Sequence, residues 1–187
     1  MAKNDNSHAL WFLDSMTKHG QQEAGQRFAE EHPLEESADF DKEFAWAKHV
    51  CAFMEENYDD ETVKEIRMDC ACGPQYGKEE LRAIYEKEKD PNAFVEKVSS
   101  LGLGFWMEYD GTDYYMIYPE CYCPCVKDND ELLSKAWCYC TAGYNKRLFE
   151  GVFDAEVQAE LISSIKMGDD CCRIRIHILE KDASANN

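Results

Sequence analysis

The chain has 187 residues, 44% of them hydrophobic, and its 20 basic against 38 acidic side chains leave a net charge of −18. That length suits one domain with a full core, residues 1–187, and is short for two; the negative balance disfavours nucleic acid and anionic membrane surfaces, which need a positive patch. No apolar run approaches the roughly 18 residues of a membrane span, and Met1-Ala2-Lys3-Asn4-Asp5-Asn6 lacks the basic and apolar regions of a secretory signal, so a reducing cytoplasm is the expected compartment.

Residues 1 to about 7 and 181 to 187 are polar and without periodicity, and are expected to be disordered. Residues 8–101 read as helical. Leu10, Leu13, Met16, Ala24 and Phe28 recur at helical spacing, interrupted near Gly20 and closed before Pro33, with Trp11 and Phe12 widening the stripe. From about Ala38 a second helix carries Phe40, Phe44, Ala47, Cys51 and Met54, with Trp46, Val50 and Phe53 beside them; Cys51 there reads as a small core residue. His8, His19, His32 and His49 fall at no mutual ligand spacing and read as surface or cap residues. Asp60 is placed to cap a short helix through Ile66, ended by Gly73-Pro74. Lys78 to Lys89 is a charged helix, and Asp90-Pro91 opens another that buries Phe94, Val98 and Leu101 before Gly102.

Residues 102–180 read as hairpin, helix, hairpin. The first hairpin spans about 105–118. A two-residue turn at Asp110-Gly111 would set Glu108 opposite Asp113, a repulsive pair, so a four-residue turn over Asp110-Gly111-Thr112-Asp113 is expected. It pairs Tyr109 with Tyr114, Met107 with Met116 and Phe105 with Tyr118. That face is either a core wall or an apolar pocket of Met107, Tyr109, Tyr114 and Met116 for a small apolar or aromatic ligand, and a hydrophobic sheet face also suits a homodimer interface. A helix capped by Asp128 or Asp130 then carries Leu133, Ala136, Trp137, Cys140, Tyr144 and Leu148, with Gly143 a close-packing point or a break. The second hairpin, 157–178, turns at Gly168-Asp169, pairing Ile165 with Cys172, Ser163 with Ile174, Leu161 with Ile176 and Ala159 with Ile178. Its other face carries Glu160, Arg173, Arg175 and His177. The fold class is thus α+β: a helical amino-terminal half and an antiparallel sheet covered by helices.

Five of the ten cysteines fall between Cys121 and Cys140. In an extended segment Cys121, Cys123 and Cys125 share a face, and Pro124 suits an irregular loop. In a helix, i and i+2 diverge by about 200°, so only one of Cys138 and Cys140 faces the cluster, and Cys140 lies on the buried stripe. Cys121, Cys123, Cys125 and Cys140 therefore form the first metal-ligand set, with Cys70, Cys72 and Cys138 as second choices. Soft thiolates suit zinc first and an iron–sulfur cluster second. An even count of ten also permits disulfides, which the expected compartment disfavours. Cys172 reads as packing and Cys171 as the exposed, reactive thiol and candidate nucleophile of a hydrolase or other thiol enzyme; His177, about 20 Å away by strand rise, cannot be its base on that strand.

The run Trp137-Cys138-Tyr139-Cys140, Gly143, Leu148-Phe149, Val152-Phe153, Val157, Glu160, Ser163, Ile165, Gly168-Asp169, Cys172 and Ile176 resembles the 4-vinyl reductase domain superfamily. It is closer to an uncharacterised cysteine-rich bacterial branch and more distantly similar to the L-2-amino-thiazoline-4-carboxylic acid hydrolases. The resemblance implies an α+β small-molecule binding or sensing module, some relatives carrying cysteine metal sites, or a hydrolase acting on a small sulfur-containing substrate. The extra Cys-x-Cys pairs favour a zinc-binding module over the enzyme.

Overall fold

A computed structural model describes residues 4–70 and 77–179. Among them are seven α-helices: α1 (Ser7–Lys18), α2 (Gln22–Glu31), α3 (Phe40–Asn57), α4 (Asp60–Asp69), α5 (Lys78–Glu88), α6 (Pro91–Ser99) and α7 (Lys135–Phe153). Four strands, β1 (Trp106–Tyr109), β2 (Tyr114–Tyr118), β3 (Val157–Ser163) and β4 (Cys172–Ile178), form one antiparallel sheet in the order β1-β2-β4-β3. The fold is α+β. No described helix is long and apolar enough to cross a membrane.

Capping explains most helix starts. Asn6, Asp39, Asp59 and Asp90 each accept a backbone N–H from the first turn of the helix that follows, satisfying donors that the helix leaves open. Asp59, not Asp60, therefore begins α4. Gly20, at φ 72, separates α1 from α2. The buried face of α1 is Ala9, Phe12, Ser15 and Met16, while Leu10 points outward. Near the start of the chain, Asn4 and Asp5 accept from the Leu34 and Glu36 N–H groups, and Asn6 N–H donates to the Leu34 carbonyl.

The first hairpin pairs Tyr109 with Tyr114 and Met107 with Met116, as the charge argument required. Asp110 closes its turn by accepting from the Thr112 and Asp113 N–H groups and the Tyr115 hydroxyl. The second hairpin departs from the expected register by two residues: Ala159 pairs with Ile176 and Leu161 with Ile174. The reason is a 3-10 turn at Ile165–Met167 that lengthens the connection, held where Ser164 N–H donates to Asp169 and Asp169 N–H returns to the Ser164 carbonyl. A shift of two keeps Ala159 and Leu161 on their expected face, and a bulge between Leu161 and Ser163 then sets Ser163 opposite Arg173, where Ile174 was expected. Glu160, Arg173, Arg175 and His177 accordingly pair on the polar face, with each other or with Glu108 and Asp113.

Helix α7 organises the molecule. It packs on α4 and α5 on one side and on β3 and β4 on the other, so it is buried around its circumference along most of its length. Gly143 makes this approach feasible: a Cβ there would lie 1.8 Å from the Met68 carbonyl oxygen of α4. It is a close-packing point, not a break. The carboxyl half of α7 joins a core with α5, α6 and the sheet, in which Phe94 meets Tyr85, Tyr114 and Phe153. Its amino half joins a second core built from α1–α4 and the cysteine-bearing segment before α7. Helix α7 starts later than expected, at Lys135 after Ser134, because residues 119–134 instead form turns and irregular chain.

Candidate functional site

The irregular segment lays its cysteines on the amino half of α7. Cys123, Pro124, Cys125 and Val126 form a tight turn: the Cys123 carbonyl accepts from Val126 N–H at 3.1 Å and Lys127 N–H at 2.9 Å. Proline at the second position presets the backbone for such a turn. The segment is therefore curled where an extended strand was expected. Cys125 is fully buried beside half-buried Cys123, and its thiol favours the Cys123 anion. Cys121 lies instead within electrostatic reach of Cys123, Cys172 and Lys166.

Both helical cysteines are buried, because α7 has neighbours on opposite sides. Cys138 faces the turn between β3 and β4: the Ser164 hydroxyl donates to its sulfur at 3.0 Å, and the Cys172 thiol reaches the same hydroxyl at 3.9 Å. Cys140 faces the other way and interacts with Cys70, Cys123 and Cys138. Cys172, read from sequence as packing, thus belongs to the thiol group; its neighbour across the site, Ser164, carried no sequence signal. Cys171 is half-buried and makes its carbonyl available to Ser163 Oγ, while His177 is held by Asp113 at 2.6 Å, so no catalytic pair forms there. Cys51 is a core residue on α3.

The electrostatics single out one thiol. Burial pushes Cys70, Cys121, Cys138 and Cys172 above the usual thiol value, because a thiolate loses its hydration there. Cys123 is lowered instead, first by the Cys125 S–H donor and then by the Trp137 indole N–H, against burial and the Cys140 charge. Trp137 Nε1 is buried and makes no hydrogen bond. An unsatisfied buried donor of that kind costs about 1–3 kcal/mol, so an anion at Cys123 answers a need already built into the site. Two buried cations flank the group. Arg67 donates to the Ala136 and Trp137 carbonyls at 3.1 Å and lies 4.7 Å from the Trp137 ring centre. Lys166, 4% exposed, donates to the Asn129 carbonyl, and its own carbonyl accepts from Leu133 N–H. Cations beside partly buried thiols are the setting in which thiolates form.

Among the described residues no group of three or more His, Cys, Asp or Glu side chains is placed to hold a metal ion. Cys121 and Cys140 each lie within electrostatic reach of Cys123, beside which Cys125 sits. Cys70 adjoins Cys140, Cys138 adjoins Ser164, and Cys72 lies outside the described residues, as does the Gly73-Pro74 turn. Met107, Tyr114 and Met116 are buried in the sheet-side core with Tyr109 half-buried beside them, their face covered by Phe94 and Phe153. The histidines hold one departure: His32 and His49 stack with ring centres 4.1 Å apart beside a cleft lined by Trp46, Glu31 and Glu35.

No curated protein matches this chain in sequence. Among solved structures, an H-NOX protein from Shewanella oneidensis in its Fe(II) state overlies 95% of this chain and 98% of its own at 14% identity and a TM-score of 0.44. An H-NOX domain from the same organism in the Fe(II)CO state gives 13%, 94%, 99% and 0.43 for identity, the two coverages and TM-score. The trafficking protein particle complex subunit 3 from Naegleria fowleri, covalently bound to palmitic acid, gives 16%, 76%, 98% and 0.40 in the same order. A family profile matches residues 7–183, nearly the whole chain, and the protein with its buried thiol group around α7 belongs to the family of unknown function DUF6144.

Proposed function

We propose that the chain is a thiol-chemistry module whose working group is the Cys123 thiolate, which takes small soft electrophiles. The observation that carries this reading is that Cys123, half-buried on its turn, is the one described cysteine whose thiol is shifted down from its ordinary value, first by the neighbouring Cys125 thiol. Its neighbours are neutral thiols, held so by burial, and therefore poor nucleophiles. Limiting iodoacetamide at neutral pH, followed by peptide mapping, tests the assignment. Cys123 takes the first label in the native protein; first labelling of Cys171 moves the working thiol to the end of the second hairpin and removes the proposal.

A second reading keeps these residues as a zinc centre. It is supported by the position of Cys140 among Cys70, Cys123 and Cys138, and by a donor set made of soft thiols. Elemental analysis of protein purified without chelator or affinity-tag metal decides it. One zinc per chain, with Cys123 protected from alkylation until the metal is chelated, makes this the resting state. Metal-free protein with Cys123 freely reactive leaves the thiolate reading alone.

A further inference from the structure

Between the cysteine turn and α7, residues 127–132 form an irregular strap whose two ends, Val126 and Leu133, are buried in the thiol-bearing core. Lys127, Asp128, Asp130, Glu131 and Leu132 are exposed, so the strap presents three acids against one base. Two lysines hold it. Lys48 of α3 meets the Glu131 carboxylate at 3.0 and 3.1 Å, and buried Lys166 donates to the Asn129 carbonyl. Both ammonium groups sit over the Phe44 ring, 5.4 and 5.8 Å from its centre, so one aromatic platform seats both.

The strap is bonded to what lies behind it. Leu133 N–H donates to the Lys166 carbonyl at 2.8 Å, Lys166 N–H donates to the Ser164 hydroxyl at 3.2 Å, and that hydroxyl holds Cys138 at 3.0 Å and meets Cys172 at 3.9 Å. Ser164 is fully buried, whereas the Lys48 and Glu131 side chains are 45% and 56% exposed. The inner end of this chain of bonds is therefore dry and the outer end wet. We infer that residues 127–132 are a gate over the Cys138–Ser164–Cys172 cluster, latched by the Lys48–Glu131 ion pair. An exposed pair biases an equilibrium by a factor of only about two to five, which suits a strap that opens while the rest of the domain stays folded. Opening lifts Asn129 and Leu133 off Lys166, frees that side of the Ser164 turn and admits a small neutral solute to Cys138. Cys138 is thus a second thiol reached through the gate; Cys123, half-buried on its turn, needs no such opening.

The full chain, treated with chelator, is labelled with neutral iodoacetamide and mapped, while amide exchange over residues 127–134 is followed by mass spectrometry. Raising salt from about 0.01 M to about 1 M shortens the screening length from about 30 Å to about 3 Å. The expected result is that Cys138 labelling and exchange over 127–134 both rise about two- to fivefold. Lys48→Met and Glu131→Gln each give that rise at low salt and lose the salt response. Their double variant is no faster than either alone, because both delete one interaction. Exchange in the carboxyl half of α7 stays at the parent rate throughout. Cys138 labelling that ignores salt and both substitutions overturns the gate. So does a rise matched by faster exchange in the carboxyl half of α7, since the whole domain is then opening.

Discussion

Trp137 carries two duties that substitution can separate. Its ring packs between Arg67, 4.7 Å away, and Trp46, at 6.1 Å, while its N–H favours the Cys123 thiolate. Trp137→Phe keeps a ring in the first role and deletes the second. The expected outcome is a slower alkylation of Cys123 at neutral pH, with its ionisation midpoint moved upward, and a loss of stability below about 2 kcal/mol by urea unfolding. An unchanged midpoint would sink the role assigned to the indole. At this scale the sequence was informative about which segment matters and less so about its chemistry. The Cys123-Pro124-Cys125 spacing was legible, as was burial of Cys140. That the segment curls was not, because the turn signal of Pro124 competed with the alternating cysteine spacing; that Cys138 and Cys172 meet at Ser164 was not, because it depends on contacts between residues far apart in the chain.

Between elements, the tightest constraint is the contact of α7 with α4. A Cβ at Gly143 would meet the Met68 carbonyl oxygen at 1.8 Å, and that atom is backbone, so the helices themselves must separate. Gly143→Ala is expected to cost about 3 kcal/mol, the upper range of overpacking, and to expose thiols throughout the site; a stability within experimental error of the parent chain contradicts the packing described. At the other flank, Ser164→Ala removes the hydroxyl that accepts from Lys166 N–H and donates to Cys138. About 1–2 kcal/mol of destabilisation follows, read by urea unfolding, with the Cys138 thiol more readily labelled. The four-residue turn of the first hairpin was predictable from one like-charge clash. The register of the second was missed by two residues because Ser164 and Asp169 build a 3-10 turn that no hydrophobic pattern announces.

Across the whole molecule, the buried thiols give stability a dependence on alkaline pH. Cys70, Cys121, Cys138 and Cys172 lie above the usual thiol value of 9.0 because burial disfavours their thiolates. The unfolded chain releases these protons first, so their stabilisation is complete below pH 9.0 and is lost as the pH rises above it. Cys123, lowered, has the opposite sign: its contribution is present above 9.0 and is lost as the pH falls through its folded value. With five raised thiols, the buried Cys51 among them, against one lowered, urea midpoints are expected to fall steadily above pH 9.0. A midpoint that stays flat there would mean that the cysteines are not buried as neutral thiols. Fold class was readable at this scale from helical spacing and two hairpins, but the division into two cores joined by α7 was not, since α7 alone looks like one more amphipathic helix.

The state of Cys123 is the point on which the account turns, and the ultraviolet absorbance of its thiolate reports it directly. Native protein and the Cys123→Ser variant are titrated in parallel and the difference taken. A one-thiol difference curve with its midpoint below 9.0 is the predicted result. A midpoint at or above 9.0, or no difference between the two proteins, contradicts the assignment of Cys123 as the working thiolate.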